Sequence, residues 1–269
     1  MQLSVGIDLG TTNSAVASLP SGPGNRPKLF QIPQLVAAGE VRAATVLPSF
    51  IYFPTSDERD AGALALPWNP QPDTVAGVFA RDHGALVLTR LVSSAKSWLA
   101  NAAVDRRAAF LPWAADSAHR ISPVDASARL LAHLRDSWNH EHARDDEARR
   151  LEQQEIVLTV PASFDEEARE LTVEAARQVG FDRLTLLEEP LAAVYAWIAS
   201  HSRGLAQLFA DPRISSGSRL LLVCDVGGGT TDFSLLRATT TRGEVTFDAS
   251  RSASICCSAA TTWIWRWPR

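Results

Sequence analysis

Apolar positions alternate with small or polar ones over residues 4–9 and again over 14–19, with the turn sequence DLGTTN between them. Period-two patterning on both sides of a glycine turn predicts a β-hairpin, and residues 28–32 read as a third strand. Prolines at 20, 23, 27 and 33 mark the breaks around it. Between residues 54 and 75, Pro54, Pro67, Pro70 and Pro72 stand among polar and small residues, which reads as a surface excursion without regular structure. The period then changes. Val124, Ala128, Leu131, Leu134 and Trp138 recur at helical spacing, with Ser122 and Pro123 as start signals, so residues 122–143 are expected to form a long amphipathic helix whose apolar face joins the core. A second helix is expected over 164–179, opened by Asp165 and closed by Gly180. Residues 155–160 and 184–187 flank it as strands, giving a right-handed crossover unit. Residues 203–218 read as a loop. After it, residues 220–236 run LLLVCDVGGGTTDFSLL: an apolar strand, a glycine turn and a returning strand.

Composition changes this picture little. A length of 269 residues suits one large or two ordinary α/β domains. A formal charge of -4, from 26 basic against 30 acidic residues, gives no reason to expect nucleic acid or an anionic membrane as partner. The apolar run at 3–9 is too short for a signal-peptide core, and no run approaches the ~20 residues of a membrane span, so a cytoplasmic location is expected. Three cysteines, two of them the adjacent Cys256 and Cys257, give neither a disulfide framework nor a zinc spacing. Walker-type GxxxxGK[ST] is absent.

The candidate chemistry lies in the two glycine turns. In each, a strand delivers a carboxylate, Asp8 or Asp225, to a turn where Gly10, or Gly227, Gly228 and Gly229, lets the backbone approach an anion closely. Thr11, Thr12 and Asn13 in the first, and Thr230 and Thr231 in the second, add polar donors beside the backbone N–H groups. Paired carboxylates suit Mg²⁺, which prefers oxygen ligands and keeps several waters when it is bound to nucleotide phosphates. Ordinary turn capping is the alternative reading of both aspartates. Lys28 and Lys96 are the only lysines among the 26 basic residues, which singles out Lys96 in SSAKSWL. A solvated helix lysine is its alternative.

The double signature resembles the phosphate-1 and phosphate-2 motifs of the actin-like ATPase superfamily, and a third segment narrows the resemblance. Residues 156–197, IVLTVPASFDEEARELTVEAARQVGFDRLTLLEEPLAAVYAW, are similar to the segment joining the two lobes in the heat-shock protein 70, or DnaK-like, chaperones. The resemblance implies an α/β, actin-like (ribonuclease-H-like) fold, with lobe I nearly complete over 1–200, a variable subdomain at roughly 39–115, and lobe II beginning at 201–250 and truncated after its first hairpin. It implies ATP or ADP with Mg²⁺ as cofactors. Lys96 would then reach the γ-phosphate, Glu189 and Asp232 would lie near the attacking water, and Thr11 and Thr230 would donate to the transferred phosphate. Asp8 and Asp225 would hold the metal, and Pro161 with Arg169 would be the interlobe switch. In a full-length parent, ATP hydrolysis would be coupled to unfolded or extended peptide clients and to co-chaperones, with no nucleic-acid or membrane partner. In the 269-residue chain, weak nucleotide binding and little turnover are expected.

Residues 251–269, RSASICCSAATTWIWRWPR, break the pattern: three of the eight tryptophans fall within five residues. Read one base earlier with G/C-rich codons, residues 255–268 decode as HLLLGGDNMDLALA, which resembles the family's next lobe II segment. A one-base shift near Ser250 or Arg251 is therefore expected. Two other functions share these features. A small-molecule kinase of the same superfold would show ADP formation that rises with a sugar, and a non-enzymatic lobe I interaction fragment would be indifferent to alanine at Lys96.

Overall fold

The computed structural model describes residues 3–22, 25–113, 119–201, 217–228, 230–241 and 244–256, which divide into two compact units. The first comprises residues 1–160 and 164–188; the second comprises 161–163 and everything from Glu189 onward.

In the first unit, β1 (Leu3–Leu9) and β2 (Asn13–Pro20) form the expected hairpin, with Leu9 opposite Ser14 at its closed end. Period-two alternation places Val5, Ile7 and Leu9 in the core and leaves Gly6 and Asp8 exposed on the other face. The third strand departs from expectation. β3 is only Lys28–Leu29, and although the Phe30 N–H still donates to the Val16 carbonyl at 2.8 Å, the Phe30 ring is buried against Trp138. The chain leaves this sheet there and pairs β4 (Ile32–Ala37) with β5 (Glu40–Ala44) in another. β6 (Leu47–Pro48) then returns to pair with the start of β2, and β7 (Ile51–Tyr52) begins a small separate sheet.

Residues 54–75 are more ordered than their prolines suggest. α1 (Ser56–Asp60) is opened by a capping box in which the Thr55 hydroxyl accepts from the Glu58 N–H and Glu58 accepts from the Thr55 N–H. That T-x-x-E pattern is legible in the sequence and outweighs the surrounding prolines. Leu64, Leu66 and Val75 pack into a satellite core with Leu35, Tyr52, Phe79 and Ala80. β8 (Val75–Ala76), α2 (Val78–Gly84) and β9 (Leu91–Val92) complete this region, and α3 (Ala95–Leu99) follows.

α4 (Pro123–His142) and α5 (Glu166–Gln178) are the two helices expected from periodicity, and they cover the main core. Ser122 caps α4 reciprocally with Asp125, Pro123 holds the first helical position, and the five predicted core residues from Val124 to Trp138 are buried. β10 (Glu155–Val160), which precedes α5, pairs parallel with β1, and β11 (Leu184–Glu188), which follows α5, pairs parallel with β10, so the sheet order is β11-β10-β1-β2-β3. Gly180 leaves α5 at φ +84, as a C-terminal glycine should.

The start of α5 is anchored from outside. Asp165 accepts from the Ala168 N–H and takes both guanidinium nitrogens of Arg106 at 2.7 Å, while the Arg106 side chain is only 1% exposed. The Arg106 hydrogen bonds, aided by the Ala168 amide, pull the Asp165 carboxyl down to about 2.

The second unit holds α6 (Glu189–Ser200) and a three-stranded antiparallel sheet of β12 (Ser218–Val226), β13 (Thr230–Thr241) and β14 (Glu244–Cys256). α6 packs on one face of this sheet. There Leu236 and Ala238 are fully buried, and Tyr195 of the helix meets Phe247 of β14 edge-on at 6.3 Å. Most of the expected 203–218 loop, and the expected out-of-frame tail beyond Cys256, lie outside the described residues.

Candidate functional site

The first turn is built by backbone constraint. Asp8 stands directly opposite Ala15 on β2 and Thr159 on β10. The Thr159 hydroxyl donates to Asp8 Oδ1 at 2.9 Å, orienting the carboxylate with a neutral partner. A Cβ on residue 10 would lie 2.2 Å from the Asn13 carbonyl oxygen, so the turn closes this tightly only with glycine. Thr11 and Thr12 are half-buried and Asn13 is exposed at the start of β2.

Ser49, which the sequence reading passed over, braces the turn from behind. Its N–H donates to the Thr12 carbonyl at 2.9 Å and its hydroxyl to the Gly10 carbonyl at 2.7 Å. Its only sequence signal is a serine following Pro48, which is too common to stand out.

Lys96 lies on α3 and is only 9% exposed, so it does not stand on a solvated face. A lysine this buried is rare unless its ammonium is paired. Arg169 on α5 donates to Glu188 Oε1 at 2.8 Å and through Nε to the Phe164 carbonyl at 3.2 Å. Glu188 was not anticipated as its partner; the sequence shows two adjacent glutamates and does not say which one faces the arginine.

In the second unit, Asp225 stands at the end of β12 directly opposite Asp232 on β13, so both carboxylates project from the same face of the hairpin. Like charges in that position cost a few tenths to about 1 kcal/mol unless a counter-charge joins them. Ser163 donates to Asp232 Oδ1 at 3.5 Å, the long limit for such a bond. Gly227 and Gly228 are exposed between the strands; Gly229 and the side chain of Thr230 lie outside the described residues. Thr231 is half-buried opposite Val226, and Glu189 is the first residue of α6. Pro161 is buried and belongs to this unit, whereas Arg169 belongs to the first. Asp8, the Gly10 turn, Lys96 and Arg169 thus share the first unit, and Asp225, the glycine turn, Asp232 and Glu189 share the second.

The carboxylates at each turn offer oxygen alone, the donor chemistry of a hard cation such as Mg²⁺. Among the described residues, no group of three or more His, Cys, Asp or Glu that could hold a metal ion stands together. Also among them, no helix is long and apolar enough to cross a membrane.

Residues 4–250 match the family model described as Hsp70 protein. The chaperone proteins HscA of Salmonella paratyphi B (strain ATCC BAA-1250 / SPB7), Salmonella paratyphi C and Salmonella agona are each 30% identical over 250 residues, covering 88% of this chain and 33% of theirs. The chain therefore spans about a third of the length of these curated relatives. Among solved structures, MreB5 of Spiroplasma citri bound to ADP superposes with a TM-score of 0.46 at 18% identity, covering 95% of this chain and 52% of that one; its form bound to AMPPNP gives 0.45. With the family model matched across both hairpins and the segment between them, the chain belongs to the Hsp70 family, with that family's actin-like fold, and is part of its nucleotide-binding region.

Proposed function

We propose that the two hairpins grip the phosphates of ATP or ADP with Mg²⁺, and that in the full-length protein hydrolysis is coupled to the binding of extended peptide clients and to co-chaperones. The observation that carries this reading is the Gly10 turn. It closes so tightly that only glycine fits, directly beside a carboxylate oriented at the end of β1. Such a turn offers backbone N–H groups to an anion and a carboxylate to the anion's cation.

In this reading Gly10, Thr11, Thr12 and Asn13 bind phosphate from the first unit, and Gly227, Gly228, Gly229 and Thr231 bind phosphate from the second. Asp8 and Asp225 would hold Mg²⁺ through its waters, and the ion would supply neutralisation of phosphate charge. The ammonium of Lys96, a residue only 9% exposed, stabilises charge that develops on the transferred phosphoryl group, and Thr230 orients it. Glu189 and Asp232 are the carboxylates that position the attacking water, each acting only if it reaches hydrogen-bond distance of it. Pro161 and the Arg169–Glu188 pair would transmit nucleotide state to the rest of the protein.

The domain reading carries over as lobe I at 1–200, lobe II from 201, a frame change near 250 and a cytoplasmic setting. The family match ending at residue 250 supports the frame change. Calorimetry with Mg-ATP tests the whole reading, comparing the 269-residue chain with a version returned to the alternative frame after residue 250 and extended. Binding that appears or strengthens in the extended chain, and ATP turnover lost on Lys96→Ala, is the expected result. If neither form binds Mg-ATP, the reading is wrong.

A further inference from the structure

Two carbonyls of the Gly10 turn are bonded from outside it, by a residue thirty-nine positions away along the chain. Ser49 directly follows β6, whose Pro48 pairs with Asn13 and whose Leu47 is fully buried, so its backbone is fixed against the hairpin. Ser49 itself is only 4% exposed. Its single hydroxyl proton is committed to the Gly10 carbonyl at 2.7 Å, and its N–H to the Thr12 carbonyl at 2.9 Å. The Ser14 hydroxyl lies 2.9 Å from the Ser49 oxygen. Because Ser49 has no second proton to give, Ser14 must be the donor of that bond. The result is a directed chain, Ser14 O–H to Ser49 Oγ–H to Gly10 C=O, beside a separate Ser49 N–H to Thr12 C=O bond.

The consequence follows from peptide geometry. In a trans peptide the N–H points opposite to the C=O of the same unit. Holding the Gly10 and Thr12 carbonyls toward Ser49 therefore turns the N–H groups of Thr11 and Asn13 to the opposite side of the turn. Two amides aimed the same way across one turn form an anion-binding concavity. We propose that Ser49 is a positioning residue for phosphate binding: by tethering two carbonyls on the inner side of the Gly10–Asn13 turn, it aims the Thr11 and Asn13 amides at the phosphates. This rests on the nucleotide reading above and adds to it a residue outside both glycine motifs.

The test compares Ser49→Ala, Ser49→Cys and Ser14→Ala with the unaltered chain, in the short form and in the extended form described above. Two measurements are made: calorimetry with Mg-ADP, and the ¹⁵N–¹H resonances of Thr11 and Asn13 without nucleotide. Losing one such hydrogen bond should weaken Mg-ADP about tenfold in Ser49→Ala. Ser49→Cys, close in volume but a weak donor, should fall in the same direction. Ser14→Ala empties an equally buried hydroxyl site yet leaves the Ser49 proton on Gly10, so its affinity should stay within about twofold if the net loss is a fraction of one bond. The Thr11 and Asn13 amide resonances should move in both Ser49 variants and hold in Ser14→Ala. Should Ser49→Ala fail to fold, Ser49→Cys decides. Unmoved amides in a folded Ser49 variant, or an equal loss of affinity in Ser14→Ala, would overturn the positioning role while leaving nucleotide binding intact. If the unaltered chain binds no Mg-ADP in either form, the nucleotide reading fails, and the amide resonances still judge the tether.

Discussion

The two glycine hairpins look alike in sequence and are built very differently. The first is enclosed. β1 is flanked by β2 and by parallel β10, α4 and α5 seal its inner face, and Ser49 ties the turn from a third direction. Its open face carries Gly6, Asp8 and Thr159, small or polar residues that need no cover. The second hairpin has one helix on one face. On the other face, Leu222 is 63% and Val226 75% exposed, with Leu220 and Phe233 beside them in alternate positions of the paired strands. A continuous apolar run such as LLLV predicts a strand covered on both sides, and within the described residues only one side is covered. The same motif thus sits in a finished framework in one unit and on a half-covered sheet in the other.

This contrast can be broken or sharpened by substitution. The largest effect should come from Ile7→Ala, which deletes a fully buried side chain from β1 and should cost about 2–5 kcal/mol in a urea titration. A loss below about 1 kcal/mol would mean the first core is far looser than its burial indicates. Gly10→Ala comes next. Forcing a Cβ to within 2.2 Å of the Asn13 oxygen must open the turn, at about 1–3 kcal/mol by analogy with overpacked sites, with Mg-ADP affinity falling in step.

A third effect depends on pH. His133 on α4 is buried with its Nε2 at 2.9 Å from the Pro33 carbonyl, and burial pushes its pKa down from 6.5 to about 4. The unfolded chain takes up this proton near 6.5 and the folded chain resists until about 4, so stability should fall as the pH drops through that window, by at most about 3 kcal/mol. His133→Gln should flatten the melting temperature between those pH values; an unchanged acid slope would show that His133 does not set it. Asp165, held down to about 2 chiefly by Arg106, adds stability above about 3.8 that is lost as pH falls through about 2, a separate and lower window.

The smallest change in stability should be in the second sheet. Leu222→Ser with Val226→Ser should change the unfolding free energy from urea titration by no more than about 0.5 kcal/mol per site, as for exposed positions. Self-association measured by sedimentation should nevertheless drop, because exposed apolar patches drive association. A stability loss comparable to that of Ile7→Ala would mean that this face is covered after all.

What the sequence determined by itself was local and periodic. Alternation at residues 4–19, the helical repeat from Val124 to Trp138, the Asp165 and Gly180 boundaries and the two glycine turns are each encoded within a few neighbouring residues, because strand and helix periods are properties of the backbone. Even the missed helix at Ser56–Asp60 had its signal in the Thr55–Glu58 capping box. The tertiary structure alone decided the rest. Phe30 leaves the first sheet because its ring finds Trp138, more than a hundred residues away, and Lys96 is buried because α3 is packed into the core. Ser49 reaches Gly10 across thirty-nine positions, and Arg106 reaches Asp165 across fifty-nine. No local pattern marks such pairs, since a hydrogen bond or ion pair between distant residues exists only after the chain has brought them together; the turns were legible in the sequence, and the groups that hold them were not.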